Sequence, residues 1–399
     1  MDSRPKIAVV HPSLVVGGGS EACAMLIAEA LINDYNLTII TSTRVDLDEF
    51  NDFYGTHIRA GDVTLVRIPP IFFMKSHRRF AAVRTWRLAR YCKKNSRRFE
   101  LTISTYGAMD FDTAGVQYIL DPTFNTQTLK LLQPEPPALR KWFYRESPVR
   151  RAYLRLGEKL SGFTLEGIKK NLTLVDSDWT GRLAREAYGL ETRTVYPPVT
   201  DESPDVPWEA KENGFVCMGR IIPEKQVERT VDIVQKVRDG GLNIHLHIVG
   251  RAIDRRYVER LKDFCRERGG WASVENDLSG QSKMEFLARH RYGIHGKQNE
   301  PFGITIAEMV KAGCLVWVPK GGGQVEIVNH PDLIYSDPDD AVSKIVPIIQ
   351  DPEKQALLRK HLARQAGRFS TERFKMTIQD IVRQALSEKG RSDAGSSTA

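Results

Sequence analysis

Short apolar, β-branched runs alternate with longer stretches in which apolar residues recur every three to four positions, along most of the chain. The runs Lys6–Val10, Leu37–Thr41, Val63–Ile68, Leu101–Ser104, Gly115–Leu120 and Leu172–Asp176 predict strands. Helical patterns lie between several of them, such as Glu21–Ile32 and Trp142–Lys169. The pattern then restarts. Gly214–Met218, Asn243–Val249, Trp271–Glu275, Tyr292–His295, Cys314–Pro319 and Leu333–Tyr335 predict six further strands. Glu224–Val237, Asp254–Arg266, Ser282–His290 and Thr305–Ala312 predict helices among them. Near-continuous apolar strands separated by helices predict parallel sheets covered on both faces.

The interruption between the two halves is Tyr196-Pro197-Pro198-Val199, followed by the polar, Pro-rich stretch Thr200–Asn213. Consecutive prolines continue neither a helix nor a central strand. The expected division is therefore a first domain at 1–195 and a second at 196–370. Thr371–Ser387 is amphipathic, so 371–388 is expected to form a helix packing back on the first domain. The small, polar segment 389–399 is expected to be a disordered tail. The fold class is α/β: two doubly wound Rossmann-like domains facing across a cleft. Sheets of this kind bind ligands at the carboxyl ends of their strands.

A length of 399 residues suits two domains, and 41% hydrophobic with 27% charged residues supports packed cores. The five cysteines, at 23, 92, 217, 265 and 314, form no CxxC pair. A disulfide framework or zinc site is thus disfavoured, and a reducing compartment is expected. The apolar run ending at Val10 is too short for a secretory segment, and no run approaches the ~18 residues of a membrane span. The expectation is a cytoplasmic protein, peripheral on the cytoplasmic membrane face. Net charge is +8, and Lys75–Arg98 holds ten Lys or Arg and no acidic residue. Phe80, Val83, Trp86, Leu88 and Tyr91 recur through it, and Arg140–Arg145 adds a second basic-aromatic cluster. An anionic membrane surface is one partner for such segments; a solvated crossover helix is the other reading. Nucleic acid is disfavoured, because no recognised module accompanies the charge.

The most distinctive chemistry lies in Asn299-Glu300-Pro301-Phe302-Gly303-Ile304-Thr305-Ile306-Ala307-Glu308. Two carboxylates flank a turn and the start of a helix, where free N–H groups and a partial positive charge gather. That arrangement suits a polyhydroxylated, phosphate-bearing ligand. Gly17-Gly18-Gly19-Ser20-Glu21 follows the first strand and opens a helix, a seat for phosphate or a plain turn. It matches neither a dinucleotide fingerprint nor a P-loop. Arg220 and Lys225 follow the first strand of the second half, where two cations can hold a diphosphate leaving group. Gly321-Gly322-Gly323 adds another turn at a strand end. His245 and His247 alternate on one strand and read as packed rather than metal-bound. Asp-x-Asp at 46/48, 110/112, 176/178 and 337/339 is too short a pattern to carry a metal–diphosphate role.

Together these residues resemble glycosyltransferase family 4, retaining enzymes of the GT-B fold, over nearly the whole chain. The resemblance rests on Gly18–Glu21, Ser177–Thr180, Tyr196–Val199, Gly219-Arg220 with Glu224-Lys225, and above all the E-x7-E pair Glu300 and Glu308. It implies transfer of a sugar from a nucleotide-diphosphate donor to an acceptor hydroxyl in glycan, polysaccharide or glycolipid synthesis. Arg220 and Lys225 would then hold the diphosphate, and Glu300 the sugar hydroxyls. Phe302, Gly303 and Ile304 would give backbone contacts, Glu308 would bind the ribose, and Gly18 and Gly19 would allow close approach from the first domain. No metal or other cofactor is expected, the nucleotide sugar being a co-substrate. Two departures stand out. The family's histidine near a first-domain strand end is absent from Tyr118–Pro122, leaving Asp110 or Asp121 as substitutes, and Ile294-His295-Gly296-Lys297 replaces the commoner Pro-Ser. A sugar-nucleotide epimerase or glycan phosphorylase of the same fold, or a non-catalytic sugar-nucleotide-binding protein, are the alternatives.

Overall fold

A computed structural model describes residues 3–69, 81–133, 147–275, 278 and 280–396, with side chains to 391. The chain divides into two compact units. The first runs to Pro197, apart from a short segment at 131–135, and resumes from Thr371; the second holds Pro198–Ser370.

The first unit is built on seven parallel strands: β1 (Lys6–His11), β2 (Asn36–Thr41), β3 (Val63–Arg67), β4 (Leu101–Ser104), β5 (Val116–Ile119), β6 (Leu172–Val175) and β7 (Thr192–Thr194). Their order is β3-β2-β1-β4-β5-β6-β7, which puts the topological switch between β1 and β4. β7 is a short edge strand of alternating threonines with no apolar run to announce it. Central strands are buried on both faces, so β1 reads Ile-Ala-Val-Val without alternation. The helix Gly19–Leu31 covers one face, and Phe374, Ile378, Ile381 and Val382 of the last helix join the same core. That helix runs Thr371–Ser396, past Lys389, where composition predicts a disordered tail. No proline interrupts 388–396, and the two glycines there, Gly390 and Gly395, do not end the helix.

Helical periodicity over Trp142–Lys169 resolves into Pro148–Ser161 and Leu165–Lys169. Gly162, left-handed at φ 76°, ends the first and Thr164 caps the second. The described part of the basic stretch forms the helix Ala81–Asn95, which packs on Pro148–Ser161 through Trp86 and Tyr153, with ring centroids 5.1 Å apart. Leu88 is buried in the core. Two of the apolar residues read as interfacial therefore serve the fold. Lys75–Phe80 and Arg140–Arg145 lie outside the described residues.

The second unit has six parallel strands: β8 (Glu212–Met218), β9 (His245–Val249), β10 (Ala272–Glu275), β11 (His290–Ile294), β12 (Leu315–Pro319) and β13 (Ile334–Tyr335). The order β10-β9-β8-β11-β12-β13 places its switch between β8 and β11. The Asp-x-Asp pairs find structural work. Asp46 caps the helix Leu47–Tyr54, and Asp337 caps Pro338–Gln350 through two backbone amides. Ser177 likewise caps Asp178–Tyr188. Among the described residues, no helix is long and apolar enough to cross a membrane.

Candidate active site

The second unit gathers its charged groups at its own switch point. β8 ends at Met218 and leads through Gly219 to Arg220; β11 ends at Ile294 and leads to His295 and Lys297. Lys225 does not open a helix as its sequence predicts. Pro223–Lys225 is a single 3-10 turn, and Gln226, left-handed at φ 52°, separates it from the helix Val227–Asp239. The turn aims Lys225 inward. Its Nζ donates to both carboxylate oxygens of Glu300, at 2.9 and 3.0 Å. The two side chains are 14% and 13% exposed, so water screens this pair little.

Two further groups face the same carboxylate. Lys297 Nζ is 3.4 Å from Glu300 Oε2, and His295 Nε2 is 3.6 Å from it. Burial alone would push the Glu300 carboxyl up. The Lys225 and Lys297 ammoniums, with His295, hold it well below the usual carboxylate range instead. Burial lowers Lys225, against the pull of Glu300, and also lowers His295. Arg220 is exposed beside them and pairs with no carboxylate among the described residues. Arg220, Lys225 and His295 line one recess. Two cations thus face one ionised carboxylate and a third, Arg220, lines the recess beside Lys225, a positive setting for a diphosphate.

The backbone of Glu300 is held from a distant part of the chain. Gly322, at φ 79°, lies so close that an added Cβ would stand 2.4 Å from Glu300 O. Gly323 N donates to that same oxygen at 2.8 Å. Gln324, fully buried, donates from Nε2 to Lys297 O, Pro319 O and Gly321 O at 2.9 to 3.1 Å. The turn Gly321–Gly323 therefore acts on Glu300 as a clamp.

Gly303, left-handed at φ 103°, caps the helix Ile304–Lys311. Phe302 buries its ring against Phe369, leaving its backbone to the turn. Glu308 is buried on that helix, and its Oε1 accepts from Lys283 Nζ at 2.7 Å. Lys283 also reaches Asp201 Oδ2 at 2.6 Å. Burial raises the Glu308 carboxyl, while Lys283 opposes the shift. Lys283, Asp201, His295, Lys297 and Gln324 have roles that the sequence alone did not assign. His295 and Lys297 were visible only as departures from a familiar pattern.

In the first unit, the amides of Gly17 and Gly18 are already engaged by the Tyr54 phenol, at 2.9 and 3.1 Å. The Glu21 carboxylate also occupies the space beside Gly18. This glycine turn is thus less open to phosphate than its sequence predicts. Asp110 is committed to the fold, accepting from Lys93 Nζ and Thr164 Oγ1 at 2.6 Å each. Asp121 accepts from Tyr106 Oη at 2.7 Å. The first unit does hold a histidine at a strand end, at β1 rather than in Tyr118–Pro122. His11, followed by Pro12, is 1% exposed and its Nε2 has no hydrogen-bond partner. Its Nδ1 accepts from Ser13 N at 3.3 Å. Burial pulls its pKa down to about 3, so at neutral pH the ring is uncharged with Nε2 carrying the proton.

Residues 199–365 match the model of the family described as Glycosyl transferases group 1. The GDP-Man:Man(3)GlcNAc(2)-PP-Dol alpha-1,2-mannosyltransferase of Dictyostelium discoideum is 26% identical over 259 residues, 59% of this chain and 51% of the relative. The chain spans about half the length of the curated relatives it matches. The crystal structure of Anabaena Alr3699/HepE in complex with UDP and glucose is similar at TM-score 0.68 and 16% identity, over 96% of this chain and 100% of that one. Sucrose-phosphate synthase of Thermosynechococcus elongatus is similar at TM-score 0.69 and 14% identity, over 96% and 100%. At these identities the solved structures bear on the fold alone. The chain has the GT-B fold, and its residues 199–365 resemble glycosyl transferases of group 1.

Proposed function

We propose that the protein is a retaining glycosyltransferase that moves mannose from GDP-mannose to a hydroxyl of a lipid-diphosphate-linked glycan at a membrane face. The observation that carries this reading is the ionised Glu300 held by Lys225 and Lys297 at the second unit's switch point, with Arg220 lining the same recess as Lys225. It lies inside the stretch that matches the group 1 family. The choice of donor and acceptor follows the name of the curated relatives.

The donor's diphosphate would lie against Arg220 and Lys225, which offset the charge that grows as the glycosidic carbon separates from phosphate oxygen. Glu300 would accept hydroxyls of the transferred sugar, with Phe302, Gly303 and Ile304 presenting backbone groups beside it. Glu308, oriented by Lys283, would accept from the ribose. The acceptor oxygen forms its bond on the face the phosphate leaves, and its proton passes to the departing phosphate oxygen. The products are a glycoside of retained configuration and a nucleoside diphosphate. His11 Nε2–H is a donor suited to a substrate hydroxyl in the first unit.

Membrane contact is supported by the helix Pro148–Ser161. Val149, Leu156 and Leu160 fall on one face and are 65%, 50% and 47% exposed. Lys159 and Arg155 follow round the helix on one side of that row. An apolar stripe edged with cations suits an anionic leaflet.

The test is turnover with GDP-mannose, UDP-glucose and ADP-glucose in the presence of lipid-linked glycan, with the product's anomeric configuration read by NMR. Retained α-mannoside from GDP-mannose is expected. An inverted product, an epimerised free nucleotide sugar, phosphorolysis of a glycan, or binding without turnover would each refute this reading.

A further inference from the structure

The amino-terminal edge of the second sheet, opposite the end that carries Arg220 and His295, holds a second cluster of chemistry-bearing side chains. Glu212 opens β8, His245 opens β9, His247 lies two residues further on, and His290 opens β11. One donor atom from each lies within 4.8 Å of the other three. The order β9-β8-β11 makes these three strands neighbours, so the convergence is built into the sheet. We propose that Glu212, His245, His247 and His290 form a binding site for one divalent transition metal ion of the zinc class.

The ligand set is right for that class. Imidazole and carboxylate donors suit zinc and its neighbours, whereas calcium and magnesium take oxygen alone. The spacing is close to a loaded site. Four donors at about 2.1 Å in a tetrahedron stand about 3.4 Å apart. Glu212 Oε2 is 3.6 Å from His245 Nε2 and 3.7 Å from His290 Nε2. Both nitrogens are buried, and neither has a hydrogen-bond partner. A buried polar atom without a partner is costly, and a metal bond removes that cost.

The surroundings orient the rings as metal ligands are oriented. His290 Nδ1 bonds Phe286 O at 2.8 Å, which fixes the proton on Nδ1 and leaves the Nε2 lone pair toward Glu212. His247 Nδ1 lies 2.8 Å from Glu275 Oε1, and Ser273 Oγ donates to the same carboxylate at 2.7 Å. Carboxylate and carbonyl partners of this kind set the tautomer of ligating histidines. Gly214 leaves the room: a Cβ there would stand 2.0 Å from His245 Nε2. With four protein ligands and no position left for substrate, the ion is structural and ties the starts of three strands together.

The experiment uses the full chain, free of any affinity tag and stripped with chelator, titrated with Zn²⁺ at pH 7.5. One ion per chain is expected by equilibrium dialysis with elemental analysis, with a rise in Tm that EDTA reverses. His245→Ala removes a half-exposed ligand and is expected to weaken binding at least 100-fold with apo Tm unchanged. His361→Ala, at the separate His330–His361 pair, is expected to bind as wild type. Should His245→Ala fail to fold, Co²⁺ added to the wild-type chain is expected to give the intense visible bands of a tetrahedral site. No uptake of Zn²⁺, retention of the ion by folded His245→Ala, loss on His361→Ala, or a weak octahedral Co²⁺ spectrum would overturn the site.

Discussion

Glu300 and Lys225 depend on one another. Each is nearly buried, and each carries its charge because the other is within 3.0 Å. Lys225→Ala leaves a buried carboxylate with only Lys297 and His295 for company. It is expected to lose about 3 kcal/mol in urea unfolding as well as turnover. Unchanged stability would show that Lys297 alone suffices. His11 gives a pH signature. Its folded pKa of about 3 lies below the 6.5 of an unfolded chain, so the unfolded state takes up the proton first. The stability held above pH 6.5 is lost as pH falls toward 3. Against His11→Phe, the wild-type protein should lose up to about 1.4 kcal/mol for each pH unit below 6.5. Parallel profiles for the two proteins would contradict that assignment.

At the scale of elements, the clamp on Glu300 separates what the sequence discloses from what it does not. Glu300, Arg220, Lys225 and Glu308 are legible because they belong to a spaced motif or follow a predicted strand. Gln324 and Gly322 act from 22 or more residues away, and their relation to Glu300 exists only once β11 and β12 lie side by side. Lys225 was legible as a cation near the site, but the 3-10 turn that aims it depends on the left-handed Gln226, an unannounced choice for that residue. The helices Pro338–Gln350 and Pro352–Ala366 had a readable signal, Asp followed by Pro, that the Asp-x-Asp pattern obscured at 337/339. Gly322→Ala should shift the Glu300 turn, raising the donor KM at least tenfold in a protein that still unfolds cooperatively. Gln324→Leu leaves three carbonyls without their donor and is expected to cost about 3 kcal/mol by urea unfolding.

On the scale of the whole molecule, strand patterning carried most of the architecture, since buried parallel strands announce themselves as apolar runs. The edge strand β7 escaped because it is three residues long and only partly buried. The final helix belongs to the first unit although it follows the second in sequence. Phe374, Ile378, Ile381 and Val382 are each at most 3% exposed there. Burying four such side chains contributes roughly 6–12 kcal/mol, as much as a domain's net stability. A chain ending at Ser370 is therefore expected to lose the cooperative unfolding of its first unit in a calorimeter while the second still melts.

The central claim is that Glu300 and the cations around it bind the donor and stabilise its departing diphosphate. It is tested most directly by comparing donor turnover of wild type, Glu300→Ala and Arg220→Ala under saturating lipid-linked acceptor, with folding checked by thermal unfolding. Each variant is expected to remain folded and to lose at least 100-fold in kcat, since one charge-stabilising group is worth about 3 kcal/mol in such sites. Full activity in both variants would contradict the account.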